Sequence, residues 1–187
     1  MNVYEVLHEE HVQILALLRQ ALRASFSERR RVLDLLIDEL SAYTAAERDV
    51  VGAHAMVEGT QDAHLAMTQL MAELWVIDVE APSCAALITL LTQCLADHVA
   101  KEECALFFWD LASGEGGLVG APRAFHSAKA AAQTTAIEDR LIEALAVHYL
   151  DDDGGQFLVL SPDLDETRLI IGEVLPAKPA PGWAVRG

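Results

Sequence analysis

Six residues in the first 102 positions have the types and spacing to hold metal ions: His11, Tyr43 and Glu47, then His64, His98 and Glu102. His11 precedes Glu47 by 36 residues and His64 precedes Glu102 by 38, so the chain reads as a diverged internal repeat of a histidine helix, a turn, and a helix bearing a ligand-x-x-x-Glu pair. Imidazole and carboxylate donors without cysteine suit iron, manganese or zinc, and two carboxylates able to bridge favour a pair of irons. A lone buried histidine or tyrosine is usually hydrogen-bonded core. Six donors in matching register are a different case.

Helices must position them. Residues four apart share one helical face about 6 Å apart along the axis, so Tyr43 with Glu47, and His98 with Glu102, each aim two donors at one point. Apolar stripes run through the same faces: Leu7, Ile14, Leu18 and Leu22 in a helix over about 3–25, Leu33, Leu36, Leu40, Val50 and Val51 over about 29–56, Met67, Met71 and Leu74 after Gly59-Thr60, and Leu87, Leu91, Leu95, Ala105 and Trp109 after Pro82. With turns near residues 27 and 81, His11 and Tyr43 lie about 16 residues from the first turn and His64 and His98 about 17 from the second. At 1.5 Å per residue this puts all four roughly 24 Å from those turns. Unpartnered carboxylates at that depth would cost several kcal/mol, and metal ions are a standard way of retaining such charge. The fold class predicted is all-α, an antiparallel up-down-up-down four-helix bundle over residues 1–112.

Residues 113–187 form a C-terminal extension with one or two further helices. SGEGGLVGAP is a glycine-rich loop that matches no phosphate-binding pattern, a helix follows over about 122–149, QFLVL is a short extended run, SPDLDE has the cap and acidic first turn of another helix, and PAKPAPGWAVRG is a proline-stiffened tail. This segment is expected to pack on the bundle or to supply a homodimer contact.

Composition narrows the partners. Thirteen basic against 29 acidic residues give a formal charge of −16, which disfavours nucleic acid and anionic membranes. No run of about 18 apolar residues and no secretion signal is visible, so a cytoplasmic protein is expected. Cys84, Cys94 and Cys104 lack metal or disulfide spacing and read as small buried hydrophobes. His8 lies one turn before His11 and could replace it or support it. His54 lies about 10 Å beyond Glu47, and His126 and His148 fall outside the bundle.

Residues 1–112 resemble the hemerythrin-like, HHE cation-binding family. EEHVQILALL and DAHLAMTQLM are similar to its histidine helices, and ADHVAKEECALFFWDL to its H-x-x-x-E helix. The resemblance implies that His11, His64, His98, Glu47 and Glu102 are iron ligands, with the two glutamates bridging two irons that share an oxo or hydroxo group. It also implies O2, peroxide or nitric oxide as small ligands. The chain departs from the family pattern at Tyr43, which stands where the second helix has histidine. Tyr43 would then ligate as a phenolate or hydrogen-bond to a bound ligand, and an anionic phenolate would favour Fe(III) and oppose reversible O2 carriage. The expectation is a redox enzyme that activates O2 or decomposes peroxide, with Tyr43 in a catalytic role. The alternative is a sensing or binding module for O2, NO or iron without turnover.

Overall fold

The computed structural model describes residues 2–50, 60–113, 120–151, 156–160 and 169–173. Helices α1 (Val3–Arg23), α2 (Phe26–Val50), α3 (Thr60–Val76), α4 (Pro82–Ser113), α5 (Ala121–Ala132) and α6 (Ile137–Asp151) precede strands β1 (Gln156–Leu160) and β2 (Leu169–Glu173). The first helix starts where it does because the Asn2 side chain accepts the Glu5 N–H and the Glu5 carboxylate accepts the Asn2 N–H, both at 2.8 Å. This capping box satisfies two donors that would otherwise be orphaned. Ala24 then turns to extended backbone and ends α1.

Two arginines draw the α1–α2 turn and the end of α3 together. The Arg29 guanidinium donates to the carbonyls of Ala21 and Ala24 and, across the bundle, to that of Val79. Arg30 donates to the Leu74 and Trp75 carbonyls at the end of α3, with its guanidinium 5.7 Å from the Trp75 ring centroid. These unpaired terminal carbonyls need donors, and a cation near a helix C-terminus also meets the negative end of its dipole. Both turns therefore sit at one end of the molecule. Equal distances along the chain become equal heights.

The core lies between the first four helices, where α1 packs on α2 and α4, and α3 on α4 and α2. Leu7, Ile14 and Leu18 meet Leu33, Leu36 and Leu40, Met67, Met71 and Leu74, and Ile88, Leu91 and Leu95, all fully buried. Each such side chain contributes about 1.5–3 kcal/mol relative to exposure. In α4 the buried positions Cys84, Ile88, Leu91, Leu95, His98 and Glu102 alternate steps of four and three, which keeps one seam inward over five turns. Leu22, expected on the α1 stripe, is 38% exposed, because the same step of three puts Ala21 inward instead. The ten-residue steps between cysteines advance around α4, so Cys84 is buried but Cys104, expected inside, is exposed. Pro82–Leu106 is long and apolar enough by length and composition to cross a membrane, against the expectation that no such run exists. Its buried face is occupied by the other helices and carries His98 and Glu102.

The helix expected over 122–149 is two helices. The Thr134 and Thr135 N–H groups bond three residues back, to Ala131 and Ala132, and the Thr134 hydroxyl donates to the Ala131 carbonyl. That local bonding competes with the helical ladder and breaks it. Gly120 opens α5 at φ +93°, a conformation that suits glycine. α5 lies along α2, and α6 lies against α2 and α3. This explains why α2 buries a second face, through Ile37, Ser41 and Thr44, besides its inward one. Two buried cations pin the pair. Lys129 Nζ lies 2.5 Å from Glu10 and 2.6 Å from Glu39, while Arg140 donates to Ser41 Oγ, the Ala132 carbonyl and Asp38.

QFLVL is the strand β1, paired antiparallel with β2 in the register Gln156↔Glu173 to Leu160↔Leu169. The final helix expected from Ser161-Pro162 does not occupy 169–173, because the apolar run Leu169-Ile170-Ile171, with its two β-branched isoleucines, finds a ladder partner in β1. Residues 161–168 and the proline-rich tail lie outside the described residues, as do His54 and the side chains of Trp109 and His148.

Candidate metal centre

The four core helices deliver the six donors to one buried volume. His11 is 1% exposed, Tyr43 0%, Glu47 3%, His64 8%, His98 3% and Glu102 2%. They form two groups. In the first, Tyr43 Oη donates to Glu102 Oε2 at 2.9 Å and lies 2.6 Å from His11 Nε2, while His11 Nε2 is 3.1 Å from the same Glu102 oxygen. In the second, Glu47 Oε2 lies 3.0 Å from His64 Nε2 and 3.3 Å from His98 Nε2. The ligand atoms of Glu47, His64 and His98 all fall within 4.8 Å of one another, a geometry able to hold a cation. His98 Nε2, 3.6 Å from Glu102 Oε2, links the groups.

Among the described side-chain atoms of the six donors, one buried oxygen has no hydrogen-bond partner. Glu102 Oε1 is buried without a hydrogen bond, although Oε2 of the same carboxylate faces three donors. An unsatisfied buried acceptor costs about 1–3 kcal/mol, more for a charged group. A metal ion would use that lone pair. Three imidazoles, two carboxylates and one phenol are also the donor types that iron accepts, so the residues present fit such an ion.

Electrostatics follow from the geometry. Burial alone would raise the Glu47 pKa, yet hydrogen bonds and charge from His64 and His98 hold it down at about 2. Burial would lower the His11 pKa, but Glu102 on one ring nitrogen and Glu103 on the other raise it. Tyr43 is driven well above the ordinary phenol value, first by burial and then by the negative charge of Glu47 and Glu102. In the metal-free chain it is a neutral phenol, a proton donor to Glu102.

Two residues around the centre escaped the sequence reading. Glu103 Oε1 lies 3.0 Å from His11 Nδ1 and 2.9 Å from His8 Nδ1. A carboxylate behind a histidine fixes the ring so that its other nitrogen faces the metal position. This also settles the choice between the two histidines: His11 enters the centre, and His8, its side chain 52% exposed, stands outside it on Glu103. The adjacency of Glu103 to Glu102 was the available signal, since neighbours on a helix point about 100° apart and so toward different partners. The second is Phe125 on α5, fully buried against the Tyr43 ring. No periodicity in the first 112 residues could have announced it.

A cavity of about 340 Å3 lies between α2, α3 and α6, with His64 in its wall. His126 is exposed.

A family model described as the hemerythrin HHE cation binding domain matches residues 2–109, more than half of the chain, and the chain belongs to that family. No curated protein and no solved structure gives a significant match. Membership makes this a metal-binding module of a type that usually holds iron, with a Glu/His/His site on hand to do so.

Proposed function

We propose that this member of the hemerythrin HHE family is a non-haem diiron protein that activates O2 or decomposes peroxide inside an antiparallel four-helix bundle. The observation that carries the reading is the partnerless Glu102 Oε1 at the meeting point of His11, Tyr43 and His98. Glu47 stands in a similar relation to His64 and His98, so each carboxylate faces two imidazoles, and both would serve to hold a pair of irons. Iron in that volume would supply the electrons and Lewis acidity that reduction of O2 or peroxide requires.

The chain's own residues supply the rest. His11, backed by Glu103, and the pair His64 and His98 orient imidazole nitrogens inward. Tyr43 holds a proton on Oη beside Glu102, a group able to serve as acid when a small ligand is reduced. Ile14, Leu40, Met67, Leu95 and Leu106, all buried, flank the six donors along their helices and limit water at the centre.

The contact of Phe125 with Tyr43 favours a second reading. A change at the centre would then reach the extension, and the protein would report O2, NO or iron without turnover. Metal analysis, a visible spectrum and peroxide consumption by the iron-loaded protein test both. Two irons per chain with peroxide turnover support the enzyme, and two irons without turnover support the sensor. Absence of bound transition metal after anaerobic Fe(II) loading would overturn both.

A further inference from the structure

Of the six residues at the centre, His64 keeps the most exposure, 8% against 3% or less for the others, and it does so where it lines the cavity between α2, α3 and α6. At about 340 Å3 the cavity is many times the ~30 Å3 share of a water molecule. It falls within the roughly 300–1,000 Å3 of pockets that take organic ligands. A passage for O2 or peroxide alone would not need that room. One wall comes from beyond the matched family domain: Arg140, Leu141, Glu143 and Ala144 all lie on α6.

The lining defines a chemistry. Arg48 and Arg140 are balanced by Asp62 and Glu143, and Arg140 is further committed to Asp38 and Ser41, so no net charge is selected. The hydroxyls of Thr44 and Thr68 already donate to the carbonyls of Ser41 and His64, which leaves them lone pairs to offer, while the Ser41 hydroxyl both donates to the Asp38 carbonyl and accepts from Arg140. Donors on a ligand would meet these two threonine acceptors, and the Gln61 amide in the same wall can donate or accept in turn. Leu65, Met71 and Leu141 supply an apolar surface beside these acceptors.

We propose that this cavity is a binding pocket for a small, uncharged organic molecule that carries hydroxyl groups on an apolar frame, held against His64. Its role as a substrate of the metal centre rests on the diiron reading, but its binding does not. The extension, by walling the pocket with α6, sets which molecules reach the centre.

The test uses 4-fluorophenol, which is neutral at pH 7, and follows its 19F resonance with the full-length metal-free and iron-loaded proteins. Saturable binding is expected to both. Ala144→Trp, which fills the cavity from α6, should weaken it about tenfold or more, whereas Ala124→Trp on the exposed face of α5 should not. Ala45→Trp fills the same cavity from α2 and replaces Ala144→Trp if that variant does not fold. No saturable binding to the wild type, or binding unaffected by a cavity-filling variant that keeps its circular dichroism, overturns the proposal. The two readings fail separately: binding of the probe by a protein that takes up no iron removes the diiron centre and leaves the pocket, and iron without probe binding does the reverse.

Discussion

Phe125 on α5 meets Tyr43 on α2 edge to face, ring centroids 5.8 Å apart and planes at 62°, with both side chains fully out of solvent. The extension thus closes the centre on the side of its phenol. Phe125→Ala should destabilise the fold by about 3–5 kcal/mol, as removal of a buried phenylalanine does. It should also loosen the Tyr43 ring that donates to Glu102. Urea unfolding measures the first effect, and the ring NMR linewidths of Tyr43 the second. Unchanged stability would mean that α5 does not pack there.

Lys129 gives the docking of α5 a pH signature. Burial would lower its pKa, but Glu10 and Glu39 raise it above the ordinary lysine value. The unfolded chain therefore loses this proton first, and the stabilisation is complete below about pH 10.5 and fades as pH climbs through the raised native value. Lys129→Met should cost about 3 kcal/mol at neutral pH, because it leaves Glu10 buried without its cation. It should also flatten the alkaline limb of the stability curve.

Metal uptake should release protons at His11. Its pKa is raised in the metal-free chain, so below the unfolded value of about 6.5 the protonated ring stabilises the fold, and that contribution disappears as pH rises through the native value. Iron needs Nε2 free of its proton, so apparent affinity should rise over the same range. Glu103→Gln removes one of the carboxylates that hold this proton and should shift the dependence to lower pH, while weakening metal binding about 10–100-fold. Calorimetric loading in buffers of different ionisation enthalpy measures the protons released.

Glu47 works in the opposite direction. With its native pKa held at about 2 against an ordinary 4.5, it stabilises the metal-free fold above pH 4.5 and loses that contribution as the medium is acidified toward pH 2. Glu47→Gln should remove this acid-sensitive component from a urea series. Glu102→Ala should abolish most iron binding, and full retention of two irons by that variant would contradict a bridging role.

Tyr43 separates a ligand from a proton donor. If the phenol binds iron as a phenolate, the loaded protein has a visible charge-transfer band that Tyr43→Phe removes. If it acts through its proton, the spectrum is nearly unchanged while peroxide turnover falls by about 10²–10⁴-fold, the usual worth of general acid catalysis.

The heights of His11, Tyr43, His64 and His98 could be counted from the sequence because helical rise is constant, and the counting worked because Arg29 and Arg30 hold the two turns at one end. The break at Thr134 was not legible. Alanine-rich flanks carry a helical pattern through it, and the Thr134 bond to Ala131 outweighs that pattern only locally. The strand at Leu169–Glu173 was hidden for a related reason: a five-residue apolar run takes its state from its partner, and β1 supplied one.

Periodicity and donor spacing by themselves determined the core helices and most of the side chains on each inward face, Leu22 and Cys104 excepted, because both follow from a repeat of 3.6 residues per turn. They determined nothing about the rotation of one helix against another. Tertiary packing decided that His11 and not His8 enters the centre, that Glu103 stands behind it, and that α5 and α6 close and wall the site. Those choices depend on contacts such as Lys129 with Glu10, 119 positions apart, which no local pattern encodes.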